Sequence, residues 1–268
     1  MRGGSSAAGG AHVTRRATWL GLLAAPMVGR SGQAEEARGG TPILVYHRFD
    51  VSTPGPTTVT ASTLESQLAW LTQHQIQVTP LRSAVAALTA GRRQAAITVD
   101  DGHRSVYTVL LPLIRKHQTP VTLFIYPSAI SNASYAMTWE QLREVQATGL
   151  VDIQSHTYWH PNFRTERRRR TDPDYQGFVR DQLVRSKQVL EARVGGTVDM
   201  LAWPFGIVDA GLEAAAREAG YRFAFAYEGG PAKSGDDPMA LPRIPVSNGS
   251  RGAAFGALVQ VAGQRGRT

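Results

Sequence analysis

Short apolar segments alternate with amphipathic segments along most of this 268-residue chain. The apolar segments are rich in β-branched and aromatic residues, and they predict buried strands at residues 42–46, 95–99, 121–126, 151–154, 200–203 and 223–226. Strands and helices that alternate this regularly predict an α/β fold with a parallel sheet. About seven such units favour a distorted or incomplete parallel (β/α) barrel over an open sheet.

The predicted helices carry start and stop signals. Ser62 is the expected N-cap of the first helix, and a second helix at residues 83–88 is expected to stop at Gly91. Further helices are predicted at residues 106–116, 139–147, 175–193 and 210–219.

Polar side chains stand where the predicted strands end. His47 ends the first strand, Asp100 and Asp101 end the next, His156 ends a later one, and Phe205 follows another. In a parallel barrel all of these strand ends lie on one face, where the following loops build the active site. The sequence therefore predicts that separate pieces of the chain converge on one cleft.

The carboxylates and histidines at these ends suit a single-metal hydrolase. His156 and His160 are four residues apart, so a helical turn would place both imidazoles on one side. Together with one carboxylate they make an open three-ligand site that suits zinc and also iron, cobalt or nickel. Because the chain has no Cys, a thiolate nucleophile and a Cys-ligated zinc are excluded. The second carboxylate is then available to take a proton from a water.

Each motif alone has a simpler interpretation. Asp-Asp-Gly at residues 100–102 also suits a turn with a helix N-cap, and a His-x-x-x-His pair also suits surface or packing histidines. Their combination after buried strands favours the metal site.

These motifs resemble those of polysaccharide deacetylases of carbohydrate esterase family 4, which share the NodB homology domain. Thr-Val-Asp-Asp-Gly at residues 98–102 is similar to the first family motif, and Ser-His-Thr-Tyr-Trp-His at residues 155–160 is similar to the second. The resemblance extends over roughly residues 40–245. The opening Leu-Val-Tyr-His at residues 44–47 and Ala-Trp-Pro-Phe-Gly at residues 202–206 look closest to exported poly-β-1,6-N-acetylglucosamine deacetylases.

The resemblance implies a role for each candidate residue. Asp100 would be the general base, and the metal ligands would be Asp101, His156 and His160. The backbone N–H of Phe205 would stabilise the oxyanion.

The general acid of this chain has to come from a different part of the sequence than the general acid of familiar family members. Those members use a late histidine, and this chain has no histidine after His160. In the biofilm-polymer branch the corresponding piece is moved to the N-terminal strand, which makes His47 the candidate acid. The alternative for His47 is a strand-end histidine bonded to backbone. His103, at the cleft rim, and His117, on a helix, look dispensable.

One family feature is missing from the chain. Ala202 stands where the third family motif has an arginine that tethers the base, and Arg243 is a candidate replacement, with an ordinary surface arginine as the alternative. Trp203, Phe205 and Arg243 are candidate substrate-binding residues. Trp203 and Phe205 either line the sugar cleft or pack in the core.

The expected activity is removal of N-acetyl groups from N-acetylglucosamine units of a β-linked polysaccharide, with one divalent metal ion as cofactor and zinc favoured. Alternatives on the same fold are a deacetylase of chitin oligosaccharide, peptidoglycan or O-acetyl xylan, and a hydrolase of small cyclic amides. A non-catalytic carbohydrate-binding protein is a further alternative.

The N-terminus predicts export. Thr14-Arg15-Arg16 precedes an apolar run to Val28, which resembles a twin-arginine signal, and the expected product is periplasmic or extracellular with no membrane span in the mature chain. A disordered, arginine-containing tail is the alternative. The expected division is residues 1–34 signal, 35–40 linker, 41–249 deacetylase domain, and 250–268 C-terminal helix and tail. Removing residues 1–34 takes away four arginines and lowers the net charge from +8 to +4.

Much of the remaining positive charge lies at residues 164–170, where Arg167–Arg170 form an unbroken run. This run is predicted as a solvated loop, and the alternative is a contact with an anionic surface or partner. No nucleic-acid-binding module is visible in the sequence.

Overall fold

The computed structural model describes residues 40–88 and 93–259. The expected signal and the C-terminal end of the tail lie outside these residues, as do the linker up to residue 39 and the predicted stop at Gly91. The strands are β1 Ile43–Tyr46, β2 Arg48–Asp50, β3 Thr58–Thr60, β4 Gln77–Val78, β5 Gln94–Asp100, β6 Val121–Ile125, β7 Val151–Ser155, β8 Met200–Ala202, β9 Phe223–Phe225 and β10 Ile244–Pro245.

The helices alternate with these strands, as the sequence predicted. They are α1 Ala61–Gln73, α2 Leu81–Ala86, α3 Leu111–His117, α4 Trp139–Gln146, α5 Phe163–Arg168, α6 Asp172–Val194, α7 Ala210–Glu218 and α8 Gly252–Val259. A π-helical turn, Val106–Leu110, leads into α3, and a short 3-10 turn, Pro204–Gly206, follows β8.

The main sheet is parallel and curled, in the order β10-β1-β5-β6-β7-β8-β9, with β4 beside the start of β5. One late stretch of chain joins its two edges. Leu241 donates to Ala224 O and accepts from the N–H of Ala226, next to β9, and three residues later β10 pairs with β1. These contacts confirm the prediction of a distorted (β/α) barrel.

The two faces of the sheet carry different apolar clusters, because successive side chains of a strand point to opposite faces. The larger cluster packs the outer face against the helices. The smaller one fills the inside of the barrel with alternate strand residues such as Ile43, Ala96 and Phe124. Because apolar side chains cover both faces of the sheet, its strands are continuous apolar runs in the sequence.

Two local predictions are wrong. The N-cap of α1 is Thr60 instead of Ser62: Thr60 is extended and its side chain accepts from the N–H of Thr63 at 3.3 Å, so Ser62 is already helical. Much of the stretch 164–170, predicted as a solvated loop, is helical: α5 spans Phe163–Arg168, and its N-cap Asn162 accepts from the N–H of Thr165.

The C-terminal helix α8 packs on α1. Phe255 and Val259 are buried, and the Phe255 ring stands edge-on to Trp70 with centroids 5.6 Å apart. Within the described residues, none of the helices combines the length and the apolar character needed to cross a membrane.

Candidate active site

The carboxyl ends of the parallel strands leave a cleft of about 360 Å³ at one end of the barrel. The residues that line it all lie at or shortly after the end of a strand of the main sheet. They are His47, Asp100, Asp101, His156, His160, Trp203, Phe205 and Tyr227. Seven of these eight residues are candidates from the sequence, so the convergence on one cleft is as predicted.

Three of these residues could hold a metal ion. Ligand atoms of Asp101, His156 and His160 all lie within 4.8 Å of one another. His156 Nε2 is 3.8 Å and His160 Nε2 is 3.9 Å from Asp101 Oδ1. Two imidazoles and one carboxylate are donors that suit a divalent ion.

The orientation of the buried His156 ring supports this fit. Its Nδ1 lies 2.7 Å from the carbonyl oxygen of Ala202. Because a carbonyl only accepts, the neutral form of this ring carries its proton on Nδ1, and Nε2, which lies 3.8 Å from Asp101 Oδ1, is then the atom that could ligate a metal. A backbone carbonyl that fixes the tautomer is a frequent partner of metal-ligating histidines.

His160 is also held in the form that can ligate a metal. Burial, followed by the charge of His156, lowers the pKa of His160 to about 4. Its imidazole is therefore neutral near neutral pH, with a lone pair available.

The two histidines do not lie on a helical turn, so that expectation is wrong. Residues 156–160 form an irregular loop, in which Thr157 and His160 both have φ of 64°. The loop nevertheless brings the imidazoles together, with ring centroids 4.6 Å apart.

Polar side chains replace the missing helical hydrogen bonds of this loop. The N–H of Thr157 donates to Ser155 Oγ, and the N–H of His160 donates to Thr157 Oγ1. The N–H of Trp159 donates to Oε1 of Gln182, a buried residue of α6, at 3.1 Å. Helix α6 therefore positions the loop between the two histidines.

The Asp101 carboxylate is presented by a left-handed turn. Asp101 has φ of 77° and Gly102 has φ of 73°. A Cβ on Gly102 would lie 2.9 Å from Ile125 Cδ1, so both the conformation and the space favour glycine here. A left-handed non-glycine residue such as Asp101 is strained, by about 1–3 kcal/mol, and such residues often cluster at functional sites.

Asp100 is buried inside the barrel and paired with Arg243. Arg243 Nη1 donates to Asp100 Oδ1 at 2.8 Å, and Nη2 donates to Oδ2 at 2.7 Å. The guanidinium also donates to Thr98 Oγ1 and to the carbonyl of Ala226. Arg243 is fully buried, which favours an orienting role for it over contact with substrate.

This pair determines the charge of Asp100. Burial alone would raise the pKa of the carboxyl, but the attraction of Arg243, then of His156, together with the Arg243 hydrogen bonds, holds it well below its usual range. Asp100 is therefore an oriented carboxylate, and its Oδ2 lies 3.8 Å from His156 Nε2.

Trp203 and Phe205 occupy different environments in the same wall. Trp203 is fully buried and its Nε1 donates to the carbonyl of Met239, so it packs in the core beneath the cleft. Phe205 is 61% exposed and its ring stands edge-on to His160, with centroids 4.6 Å apart. Phe205 has φ of 56°, a left-handed conformation that non-glycine residues seldom adopt.

Two tyrosines of the site were missed at the sequence level. Tyr227 lies edge-on to His47, with centroids 5.8 Å apart, and the Tyr126 ring is 5.4 Å from that of His160. Tyr126 directly follows β6 and Tyr227 comes two residues after β9. The rule that strand ends converge, applied to tyrosine as well as to acids and histidines, would have found both.

The arginine run is largely paired within the chain. Arg170 and Arg169 contact Glu166, and Arg167 lies 3.6 Å from Asp172. The Arg170 guanidinium also covers the ring of Phe178 at 4.0 Å. Three of the four arginines of the run are therefore paired, and their contacts join α5 to the start of α6.

Several known proteins are similar to this chain in sequence or in fold. YxkH of Bacillus subtilis is 27% identical over 82% of this chain and 76% of its own length. The poly-β-1,6-N-acetyl-D-glucosamine N-deacetylase of Staphylococcus epidermidis is 24% identical over 71% of this chain and 68% of its own length. Among solved structures, the Streptococcus pyogenes deacetylase PplD in complex with acetate aligns with a TM-score of 0.72 and 19% identity, covering 82% of this chain and 98% of that one.

The polysaccharide deacetylase family matches residues 87–224, slightly more than half of the chain, including Asp100, Asp101, His156 and His160. The chain therefore belongs to this family and is a polysaccharide deacetylase with a candidate Asp–His–His metal site.

Proposed function

We propose that this enzyme removes N-acetyl groups from N-acetylglucosamine units of a β-linked polysaccharide, with poly-β-1,6-N-acetylglucosamine as the favoured substrate. The observation that carries the proposal is the buried Asp100 carboxylate, oriented by Arg243 beside a three-ligand metal site. A carboxylate that is not needed as a metal ligand, next to an open site, suits hydrolysis by water without a covalent intermediate. The similarity to the staphylococcal N-deacetylase supports the β-1,6 linkage.

Asp101, His156 and His160 would hold the divalent ion, with zinc favoured and cobalt, nickel or iron compatible with the same donors. When bound, such an ion supplies Lewis acidity to the acetyl group and makes water more acidic.

Asp100 takes the proton of the attacking water. A carboxylate whose pKa is lowered is a weak base, so the contribution of Asp100 is a fixed position and a permanent charge. Arg243 supports both, because its two parallel hydrogen bonds leave the carboxylate a single orientation.

Two further groups complete the reaction. The backbone N–H of Phe205 donates to the carbonyl oxygen as negative charge collects on it. The C–N bond then breaks, and His47 delivers a proton to the leaving nitrogen, because an unprotonated amide nitrogen is a poor leaving group. The products are acetate and a free amine on the sugar.

The test is acetate release from β-1,6-linked N-acetylglucosamine oligomers by protein stripped of metal and reloaded with zinc, cobalt or nickel. We expect release that depends on metal and is lost in Asp100→Asn while the metal content is kept. His156→Ala should lose both metal and release. A near-normal rate in Asp100→Asn would show that Asp100 is not the base.

The same assay on chitin oligomers, peptidoglycan and acetylated xylan separates the alternatives. Faster release from one of these substrates would reject the β-1,6 linkage and keep the metal-dependent deacetylase. Bound glycan without release from any substrate would favour a carbohydrate-binding protein.

We also propose that the enzyme acts outside the cytoplasm, since a polymer of this kind is too large to be taken up intact. The support is the Thr14-Arg15-Arg16 sequence before an apolar run. Replacing Arg15 and Arg16 by lysine should retain the full-length chain in the cytoplasm, as measured by cell fractionation. Unchanged fractionation of this variant would reject the twin-arginine route.

A further inference from the structure

Aromatic side chains continue from the cleft beyond the residues of the reaction. Tyr126, whose ring is 5.4 Å from that of His160, shares a hydrogen bond between hydroxyls with Tyr135 at 2.7 Å. The Tyr135 ring is in turn nearly parallel to that of His103, with centroids 6.3 Å apart and planes 9° apart. Tyr126, Tyr135 and His103 therefore form a connected group, called here the Tyr135 platform, of which Tyr135 is the exposed member.

The platform is held rigidly although Tyr135 is 39% exposed. The carbonyl of Tyr135 accepts from the N–H of Arg104 at 2.8 Å, and the N–H of Met137 donates to the carbonyl of Gly102 at 3.0 Å. A β-bridge between His103 and Ala136 joins the two segments. The loop that carries Tyr135 is thus docked on the turn that presents Asp101.

The His103 ring of the platform is held by hydrogen bonds as well. His103 Nδ1 lies 2.9 Å from Ser105 Oγ, and that hydroxyl accepts from the N–H of Phe49. An exposed aromatic face that is already ordered loses little conformational entropy when a ligand covers it. Tyrosine combines such an apolar face with a polar hydroxyl, which suits a flat ligand that carries hydroxyl groups.

We propose that the Tyr135 platform binds a sugar unit next to the one that is deacetylated, by stacking its C–H face on the Tyr135 ring. The ligand class is a β-linked hexosamine chain of more than one unit. This proposal rests on the proposed function, because it places the reacting acetyl group in the cleft beside His160. It predicts that the enzyme prefers longer oligomers and that this preference depends on Tyr135.

The experiment compares wild type, Tyr135→Ala and Tyr135→Phe for acetate release from one-, two- and five-unit N-acetylglucosamine oligomers of β-1,6 and β-1,4 linkage. On the linkage that wild type uses, Tyr135→Ala should raise KM for the five-unit oligomer about tenfold, with kcat changed less than about twofold. Tyr135→Phe, which keeps the ring, should recover most of this loss. Hydrolysis of 4-nitrophenyl acetate, which has no second sugar, should be equal in all three proteins.

The matched control is Tyr107→Ala, since Tyr107 also has its hydroxyl bonded to another segment, through Glu144 at 2.6 Å, but is not part of the Tyr135 platform. A five-unit KM in Tyr135→Ala no higher than in Tyr107→Ala would overturn the platform. An equal loss on 4-nitrophenyl acetate would also overturn it, because the defect would then be in the cleft. If wild type releases acetate only from β-1,4 oligomers, the proposed linkage is rejected, and the platform is tested on the β-1,4 oligomers instead. If neither linkage gives release, the proposed function and the platform are both rejected.

Discussion

Arg243 holds Asp100 with two parallel hydrogen bonds, at 2.8 and 2.7 Å, across 143 residues of chain. Both side chains are buried inside the barrel. Arg243 precedes β10, the strand that joins the late part of the chain to β1. The segment that closes the barrel therefore also orients the candidate base.

Removal of the Arg243 charge should strongly destabilise the protein. In Arg243→Met the Asp100 carboxylate stays buried without a partner, so the free energy of unfolding should fall by about 3–5 kcal/mol. Adding Asp100→Asn to Arg243→Met should recover part of this loss, because the unpaired charge is gone. Denaturant unfolding of the two single variants and the double variant measures the coupling, and strictly additive changes would contradict the role of the pair.

Gln182 should influence metal affinity from outside the cleft. Gln182→Met removes the acceptor of the Trp159 N–H and leaves the loop between His156 and His160 less well ordered. Metal affinity, measured by titration calorimetry, should fall about 10–100-fold. Gln188→Met is the control, because Gln188 lies exposed on the same helix and should leave the affinity unchanged. Equal metal affinities of the two variants would show that Gln182 does not support the loop.

Gly206 should not tolerate a side chain. It has φ of 66°, and a Cβ there would lie 2.7 Å from Tyr227 Cβ and 2.9 Å from its backbone nitrogen. Gly206→Ala should therefore displace Tyr227 and Phe205, lowering both activity and stability, the latter by about 1–3 kcal/mol. Gly177→Ala, within α6 and with open space around it, should instead stabilise the protein by about 0.4–1 kcal/mol. Thermal unfolding and acetate release compare the two, and a harmless Gly206→Ala would be contrary to this geometry.

Asp152 should make stability depend on pH without affecting the cleft. It lies near the start of β7, at the other end of the barrel, and partial burial raises the pKa of its carboxyl, although the side chain is 40% exposed, Gln154 donates to it and Arg82 lies 3.6 Å away. A raised pKa in the folded state means that folding favours the protonated carboxyl over the carboxylate. Its contribution is complete below the ordinary value of 3.8 and is lost as pH rises through the raised value.

Asp152→Asn imitates the protonated acid at every pH. The variant should therefore be more stable than wild type near neutral pH, and the difference should vanish as pH falls below about 4. Denaturant unfolding across this range checks the sign. A variant that is less stable at neutral pH would mean that the contact with Arg82 outweighs burial.

Most of the local structure could be predicted because it depends on neighbouring residues. Of the ten strands in the described residues, six were predicted within one residue of their observed ends, since continuous apolar runs mark strands that are covered on both faces. The two- and three-residue strands β2, β3, β4 and β10 were missed, because segments this short show no pattern. Helix α6 begins at Asp172, before the predicted start at residue 175, because Thr171 caps it and Pro173 suits its first turn. Helix α5 was missed because a short, arginine-rich segment has no apolar periodicity.

The candidate metal ligands could also be predicted, although by a partly wrong argument. Asp101, His156 and His160 do meet, but through a loop with left-handed residues in place of a helical turn. Spacing of four residues therefore pointed to the correct pair for a reason that this backbone does not use.

The sequence by itself determined the parallel alternation of strands and helices, and with it the set of side chains that meet at the strand ends. Both depend on short-range periodicity and on the fact that parallel strands all end at one side. Only the tertiary structure decided that Arg243 holds Asp100, that Gln182 supports the histidine loop, and that Tyr227 lines the cleft. These contacts join residues far apart in the chain, and their partners are selected by the closure and packing of the barrel, which leave no local pattern.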